Sequence, residues 1–249
     1  MKTKPGVWMV LMAGCLAAMV AGPVTAAEKP FVIGMNTGAI VSMDPAACYE
    51  VEGHWMLNNI YDTLVKFKAG SASEIEPCLA TDWSVEEEII TFTLRKGVKF
   101  SNGDPVDGDA VAYSLRRVIQ LAKSPSWILT QFGVTPESIS ASGNTVQITM
   151  DQAYSPQLVL SCMAYISGVV NPKVTEANAS DGDMGLAYLN DHSGGSGPYV
   201  LSSWKRDEKL VLERNPHYWG KTPAIERIVI IDIPESSSQL VQLKGGTID

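Results

Sequence analysis

Histidines are the first side chains to consider for catalysis or metal binding, and the chain has His54, His192 and His217. Glu50, Glu52 and His54 offer three possible metal ligands, but positions i, i+2 and i+4 do not share one face of a helix. We therefore interpret this stretch as a solvated helix face. His217 follows a proline in a turn, where a packed or exposed histidine is expected rather than a catalytic one.

The sequence motifs of common enzymes are missing from the chain. It has no Gly-x-Ser-x-Gly elbow, no Walker A loop and no HExxH motif. The glycine-rich stretch 193–199 could cradle a phosphate, but no Lys-Ser/Thr pair follows it and a strand comes next. A chain crossing or a hinge fits this stretch better, because glycine accepts unusual backbone angles. The sequence thus predicts a protein that is not an enzyme and that has no metal site and no cofactor.

Cysteines could form a disulfide or a zinc site, and those beyond residue 27 are Cys48, Cys78 and Cys162. Their odd number leaves at least one unpaired in a monomer, and none belongs to a CxxC motif. A Cys48–Cys78 bridge is one alternative. Buried free thiols that act as small apolar side chains are the default expectation.

Residues 1–27 have the order of an export signal: two lysines, an apolar stretch and small residues that end at Ala27. We expect this segment to be cleaved and the mature protein to be periplasmic. Cys15, in a Met-Ala-Gly-Cys sequence, resembles a lipobox and offers lipoprotein anchoring as the alternative.

The composition is acidic, with a formal net charge of −8 over 249 residues. Like charge repels nucleic acid and anionic membranes. The sequence therefore predicts no nucleic-acid partner.

Apolar residues spaced three and four apart predict the helices. The clearest is 107–123, which the Asp107 side chain can cap. Trp55 falls on the apolar stripe of a second helix, 50–64, and is expected in the core. Two further helices are predicted at 156–163 and 236–243.

Alternating apolar residues predict two hairpins, at 83–94 and 138–150. The remaining strands are predicted at 31–35, 64–67, 166–170, 198–204, 209–213 and 225–233. Strands and helices mixed in this order are typical of an α/β protein.

Several motifs, in a characteristic order, resemble family 5 extracellular solute-binding proteins, the dipeptide, oligopeptide and nickel-binding group of ABC importers. The longest is LRKGVKFSNGDPV at 94–106, followed by DAVAYS at 109–114. Gly108 and Ala110 depart from the family pattern, where Ala and Asp are commoner. The other motifs are SMDP at 42–45, NIYDTLV at 59–65, LATDW at 79–83, GSGPYV at 195–200, LERNPHYWG at 212–220 and QLKGGTID at 242–249.

The resemblance implies the α/β, mixed-sheet first lobe of a two-lobed, type II, cluster C-like periplasmic-binding-protein clamshell. The lobe is expected to be incomplete here, because family members run well beyond this length. The implied divisions are 1–27 as signal peptide, 28–66 as the first segment of the lobe core, 67–185 as an inserted subdomain and 186–249 as the second core segment.

The resemblance also implies a function, which is to capture a small solute and deliver it to a membrane permease. The expected ligand is a peptide, with a nickel complex or a sugar as alternatives, and the full-length protein is expected to be a monomer. In such a lobe Tyr49, Trp127 and Tyr165 are expected to face the ligand, and core packing is the alternative for each. The second functional hypothesis is a truncated, non-transporting lobe fragment or a sensor or interaction protein.

Overall fold

The computed structural model describes residues 29–166 and 168–249 of the chain. The proposed export signal at 1–27 and its Cys15 lie outside the described residues. None of the helices described is long and apolar enough to cross a membrane. In chain order the elements are β1 (Phe31–Met35), α1 (Val51–Ile60), β2 (Val65–Phe67), β3 (Ile75–Pro77), β4 (Ala80–Glu86), β5 (Ile89–Leu94), α2 (Gly108–Leu121), α3 (Trp127–Thr130), β6 (Ile139–Ser142), β7 (Thr145–Thr149), α4 (Pro156–Ile166), α5 (Pro172–Ala177), α6 (Leu186–Leu189), β8 (Tyr199–Lys205), β9 (Lys209–Arg214), β10 (Arg227–Asp232) and α7 (Ser236–Lys244).

Within the described residues, the strands form two four-stranded sheets and one short pair. The first sheet has the order β1-β10-β9-β8, in which β1 runs parallel to β10 and the other neighbours are antiparallel. The second sheet has the order β4-β5-β7-β6 and is antiparallel throughout, while β2 pairs with β3. The mixed-sheet α/β fold and both hairpins expected from the sequence are therefore confirmed.

Helix α2 packs on the second sheet and begins where the sequence predicts. The Asp107 side chain accepts a hydrogen bond from the Ala110 backbone N–H at 2.9 Å, which satisfies one of the free donors at the helix start. The side chains of Val111, Leu115 and Val118 are buried in the core that the helix shares with this sheet. The cap at Asp107 fixes where the helix begins, and the apolar stripe fixes which face packs on the sheet.

The glycine-rich stretch at 193–199 is a close chain crossing. A Cβ atom on Gly195 would lie 2.2 Å from the carbonyl oxygen of Ile60, and one on Gly197 would lie 2.6 Å from the Ile60 carbonyl carbon. The Gly197 backbone N–H donates to the same carbonyl at 2.9 Å. Glycine lets the segment before β8 lie directly against the end of α1, which confirms the crossing as the interpretation of this stretch.

The strand expected at 166–170 is wrong. Ile166 is the last residue of α4, and residues 168–170 belong to no strand. Val169 and Val170 are buried, but their N–H groups donate to the backbone oxygen of Asp62 and the hydroxyl of Ser114. The apolar run reflects burial of an irregular segment rather than pairing with a strand.

The helix expected at 50–64 is shorter than predicted, and two expectations about its faces are wrong. It ends at Ile60, because Tyr61 has extended backbone angles. Its buried face carries Gly53 and His54 beside three larger apolar residues, so Trp55 points away from the core and is 62% exposed. His54 is consequently not part of a solvated face.

The buried apolar residues of the part that the structure describes form two hydrophobic clusters. One joins the second sheet to α2 and α4, and the other joins α1 to the first sheet. The divisions at residues 66 and 185 remain a prediction.

Candidate functional site

A cleft of about 420 Å³ opens between the end of α1, β2, α4 and the segment after β9. It is bounded by both polar and aromatic side chains, which is typical of small-molecule sites. The residues lining it are His54, Asn58, Tyr61, Asp62, Thr63, Lys66, Phe67, Cys78, Ala164, Tyr165, Pro198 and Tyr218.

Aromatic rings form one side of this cleft. The Tyr165 ring lies over the imidazole of His54, with ring centroids 3.8 Å apart and planes inclined by 33°. Tyr49 is not among the residues lining the cleft, but its ring meets Tyr165 edge to face, with centroids 6.4 Å apart. Tyr49 and Tyr165 are 40% and 36% exposed, so large apolar faces remain open to contact. The structure thus brings together two of the three residues expected from the sequence to face a ligand.

Trp127 is the first residue of α3 and is half exposed, but it is not among the residues lining the cleft. Its short helix packs on α4, the helix that carries Tyr165. The structure therefore gives Trp127 an accessible ring on a neighbouring element, and its role as a ligand contact stays a prediction.

A buried ion pair anchors the loop that carries Tyr49. Asp44 accepts two hydrogen bonds from the Arg117 guanidinium, at 2.7 and 2.5 Å, and both side chains are almost fully buried. Arg117 also donates to the backbone oxygen of Met184 at 2.9 Å. This pair fixes the segment between β1 and α1 to α2, because the bidentate geometry restrains both partners.

Asp62 forms the floor of the cleft and connects distant parts of the chain. Its carboxylate accepts hydrogen bonds from Trp219 Nε1 at 2.7 Å, Ser196 Oγ at 2.8 Å and the Cys78 thiol at 3.7 Å. Burial raises the pKa of Asp62, while these hydrogen bonds oppose the rise. Because its oxygens already accept hydrogen bonds from protein donors, the Asp62 side chain links the segment after α1 to those that carry Ser196 and Trp219.

Two further groups in the cleft keep their protons over the physiological range. Burial raises the pKa of the Cys78 thiol to about 12 and that of the Tyr218 hydroxyl to about 12. Both Cys48 and Cys78 are buried free thiols, and Cys162 is a half-buried one. A thiol that stays protonated is a poor nucleophile.

Sequence reasoning missed two features of this site, the hydrogen bonds of Asp62 and the burial of His54. Asp62, Ser196 and Trp219 each belong to a motif quoted above, and this was the one sign in the sequence that they could be in contact. His54 gave no comparable signal. Among the described residues, no group of three or more His, Cys, Asp or Glu side chains could hold a metal ion.

The mixed-sheet α/β fold is that of the type II periplasmic binding proteins. Residues 74–249 match the family described as "Bacterial extracellular solute-binding proteins, family 5 Middle". The chain therefore belongs to family 5 of these proteins, and the resemblance drawn from its motifs is confirmed.

Two of the curated relatives are named as binding proteins of the periplasm. A probable D,D-dipeptide-binding periplasmic protein of Escherichia coli is 32% identical over 213 residues, which are 84% of this chain and 40% of that protein. The nickel-binding periplasmic protein of the same organism is 31% identical over 193 residues, 76% of this chain and 35% of that protein. The chain thus spans less than half the length of these relatives.

Solved structures agree on the fold. The Escherichia coli murein tripeptide binding protein superimposes with a TM-score of 0.75 and 24% identity, over 91% of this chain and 46% of that one. A periplasmic binding protein from Helicobacter pylori, solved in complex with a peptide, gives a TM-score of 0.73 and 28% identity, over 88% and 46% of the two chains.

Proposed function

We propose that the chain forms one wall of the ligand cleft in the periplasmic substrate-binding component of an ABC importer, with a peptide as its substrate. The observation that carries this proposal is the exposed pair of Tyr49 and Tyr165 beside the cleft. Family membership supports a binding rather than a catalytic role. The dipeptide named for the Escherichia coli relative and the peptide bound to the Helicobacter pylori protein favour a peptide.

The mechanism is capture followed by delivery. Tyr49, Trp127 and Tyr165 offer flat apolar faces that stack on a ligand while its polar groups are satisfied elsewhere in the cleft. In a two-lobed protein, the bound ligand stabilises the closed form, and the permease recognises that form. An export signal at 1–27 would bring the protein to the periplasm, where the permease is accessible.

The test is a nuclear magnetic resonance titration of the purified, isotope-labelled chain. The probes are L-Ala-L-Ala, D-Ala-D-Ala, tri-alanine and a nickel–histidine complex. One wall encloses only part of a ligand, so we expect dissociation constants no tighter than about 1 mM, or about −4 kcal/mol. The signals of Tyr49, Trp127 and Tyr165 should shift with the peptides.

Tyr165→Ala should weaken peptide binding severalfold, since it removes the central ring of the cluster. Leu158→Ala is the matched control, because Leu158 lies two turns earlier on α4, is 48% exposed and does not line the cleft. If only the nickel–histidine complex shifts these signals, the ligand of the cleft is a metal complex rather than a peptide. If no probe shifts any cleft signal, either in this chain or in a longer product of its reading frame, the proposed function is wrong.

A further inference from the structure

The charged side chains that line the cleft differ in how open they are to a ligand. Lys66, in the middle of β2, lines the cleft with half of its side chain exposed. Asp62 lines the same cleft but is buried, and its carboxylate already accepts hydrogen bonds from Trp219 and Ser196. Among the described residues that line the cleft, Lys66 is thus the open cation, and the one carboxylate is already engaged.

The positive charge of Lys66 acts on the floor of the cleft. Burial raises the pKa of Asp62 and that of the Cys78 thiol, and the charge of Lys66 is among the effects that oppose both increases. Because the interaction between charges falls with distance, the ammonium group must lie near both side chains. An anionic group of a ligand in the cleft would be attracted by the same charge.

The present partner of Lys66 is a weak competitor for a ligand. Lys66 Nζ lies 3.2 Å from an oxygen of Glu76, its cross-strand neighbour on β3, and both side chains are open to solvent. Such pairs contribute little, because water and salt screen them and two long side chains must be held in place. An ammonium group also has three donors, so Lys66 can bind a second anionic group without losing a strong contact.

Neutral donors line the cleft beside this cation. Asn58 contributes an exposed amide. Tyr218 contributes a half-buried hydroxyl that stays protonated, because burial raises its pKa to about 12. Ammonium, amide and hydroxyl groups all donate hydrogen bonds to a carboxylate. A ligand ammonium would need an open carboxylate instead, and that of Asp62 is buried and engaged.

We infer that Lys66 binds a carboxylate of the ligand and is the specificity-determining residue that favours free acids over their amides. The inference rests on the proposed function, because it names the chemical group recognised in the same cleft. A peptide can offer this group at its C-terminus or on an acidic side chain, so the test needs a pair of ligands for each source.

The test is a nuclear magnetic resonance titration of the purified, isotope-labelled chain with ligands that differ by one charge. N-acetyl-L-Ala-L-Ala should bind up to about 5-fold more tightly than its amide, the change that a partly exposed charge pair contributes. L-Ala-L-Glu-amide and L-Ala-L-Gln-amide form the second pair, in which the carboxylate is on the side chain. A preference for the acid in the first pair assigns the C-terminal carboxylate, and one in the second pair assigns the side-chain carboxylate.

The side-chain Cε signal of Lys66, assigned by its disappearance in Lys66→Met, should shift with the acids more than with their neutral matches. Lys66→Met should abolish the preference for the acid, whereas Lys66→Arg keeps the cation and should retain it. Lys68→Met is the matched control and should keep the wild-type preference. Lys68 lies one residue beyond β2 and pairs with Glu74 at 2.6 Å, but it does not line the cleft.

Glu76→Gln separates ligand binding from a merely structural role of Lys66. This variant breaks the ion pair but keeps the cation, so its affinity for the acid should stay at the wild-type level or rise. If Glu76→Gln weakens binding of the acid as much as Lys66→Met does, Lys66 only holds the hairpin together and the inference is wrong. If Lys66→Met does not fold, Glu76→Gln and the comparison of acid with amide on the wild-type chain still decide the question.

The inference also fails if the wild-type chain binds acid and amide equally in both pairs. Peptides that shift Tyr49 and Tyr165 equally as acid and as amide overturn this inference and leave the proposed function standing. Sodium acetate that shifts the Lys66 signal while no peptide binds has the opposite meaning, since the carboxylate site would stand and the peptide function would fall. No response to any probe, in this chain or in a longer product of its reading frame, overturns both.

Discussion

Trp219 Nε1 donates a hydrogen bond to the Asp62 carboxylate at 2.7 Å and so joins two motifs that lie 157 residues apart. The indole ring also lies under the guanidinium of Arg95, 4.5 Å from its centroid. The contact connects the floor of the cleft to the segment after β9. This hydrogen bond therefore links the two motifs and stabilises the side of the cleft that they form.

Trp219→Phe isolates the hydrogen bond, because a phenyl ring still packs near Arg95 while the donor is lost. We expect the free energy of unfolding to fall by about 1–3 kcal/mol, since the buried Asp62 carboxylate loses a partner. Urea titration followed by circular dichroism measures this. Trp55→Phe is the control, and its exposed ring should leave stability within about 0.5 kcal/mol of the wild type. Equal stability of the two variants would mean that the bond contributes nothing net.

The elements that the sequence predicted well are those specified by local signals. The helix that Asp107 caps was predicted from its cap and its apolar stripe, and the two hairpins from the alternation of apolar residues. Each of these signals lies within about 15 residues. The strand expected around Val169 and Val170 was wrong because their N–H groups donate to the Asp62 backbone oxygen and the Ser114 hydroxyl rather than to a neighbouring strand. Local apolar character indicates burial but not the kind of partner that a backbone N–H finds.

The candidate site was predicted only in part, for the same reason. Tyr49 and Tyr165 were named from the resemblance, and the structure places them together. His54 was assigned to a solvated face together with Glu50 and Glu52, but in the structure it lies on the buried side of α1 with Gly53 and three apolar residues. A glycine and a histidine on a short helix do not indicate that this side is buried.

Gly195→Ala tests the close chain crossing at 193–199. The new Cβ would lie 2.2 Å from the Ile60 carbonyl oxygen and 2.6 Å from a ring carbon of Tyr61, so backbone must move. We expect a loss of about 1–3 kcal/mol in the free energy of unfolding. Gly38→Ala is the matched control, because its Cβ would meet only the Asn36 side chain, at 3.3 Å. A Gly195→Ala protein as stable as the control would show that the two segments are not tightly packed.

Asp104 gives a pH-dependent prediction at the surface. Hydrogen bonds from Lys173, Asn171 and Asn102 lower the pKa of Asp104 from 3.8 to about 2. Because the folded-state pKa is the lower one, the stabilisation is complete above pH 3.8 and is lost as the pH falls through about 2. Carboxyl-carbon magnetic resonance should show Asp104 titrating near 2.

Lys173→Met should move the pKa of Asp104 back toward 3.8, because it removes the largest of the three contributions. Lys173→Arg keeps a cation at that position and should retain most of the depression. A wild-type Asp104 that titrates near 3.8 would show that the Lys173 contact, 2.7 Å long in the structure, is not maintained in solution.

Because Asp44 and Arg117 form a buried ion pair, we expect replacing Arg117 alone to lower the free energy of unfolding more than replacing both residues. Arg117→Met leaves the Asp44 carboxylate buried without its counter-ion, and we expect a loss of about 3–5 kcal/mol in the free energy of unfolding. The double variant Asp44→Asn with Arg117→Met buries no charge and should recover part of that loss. The exposed pair of Lys205 and Glu208 is the control, and Lys205→Ala should change stability by less than about 1 kcal/mol. Urea unfolding of the wild type, Arg117→Met, Asp44→Asn and the double variant gives a coupling free energy. A value near zero would mean that the loop carrying Tyr49 is held by packing rather than by this pair.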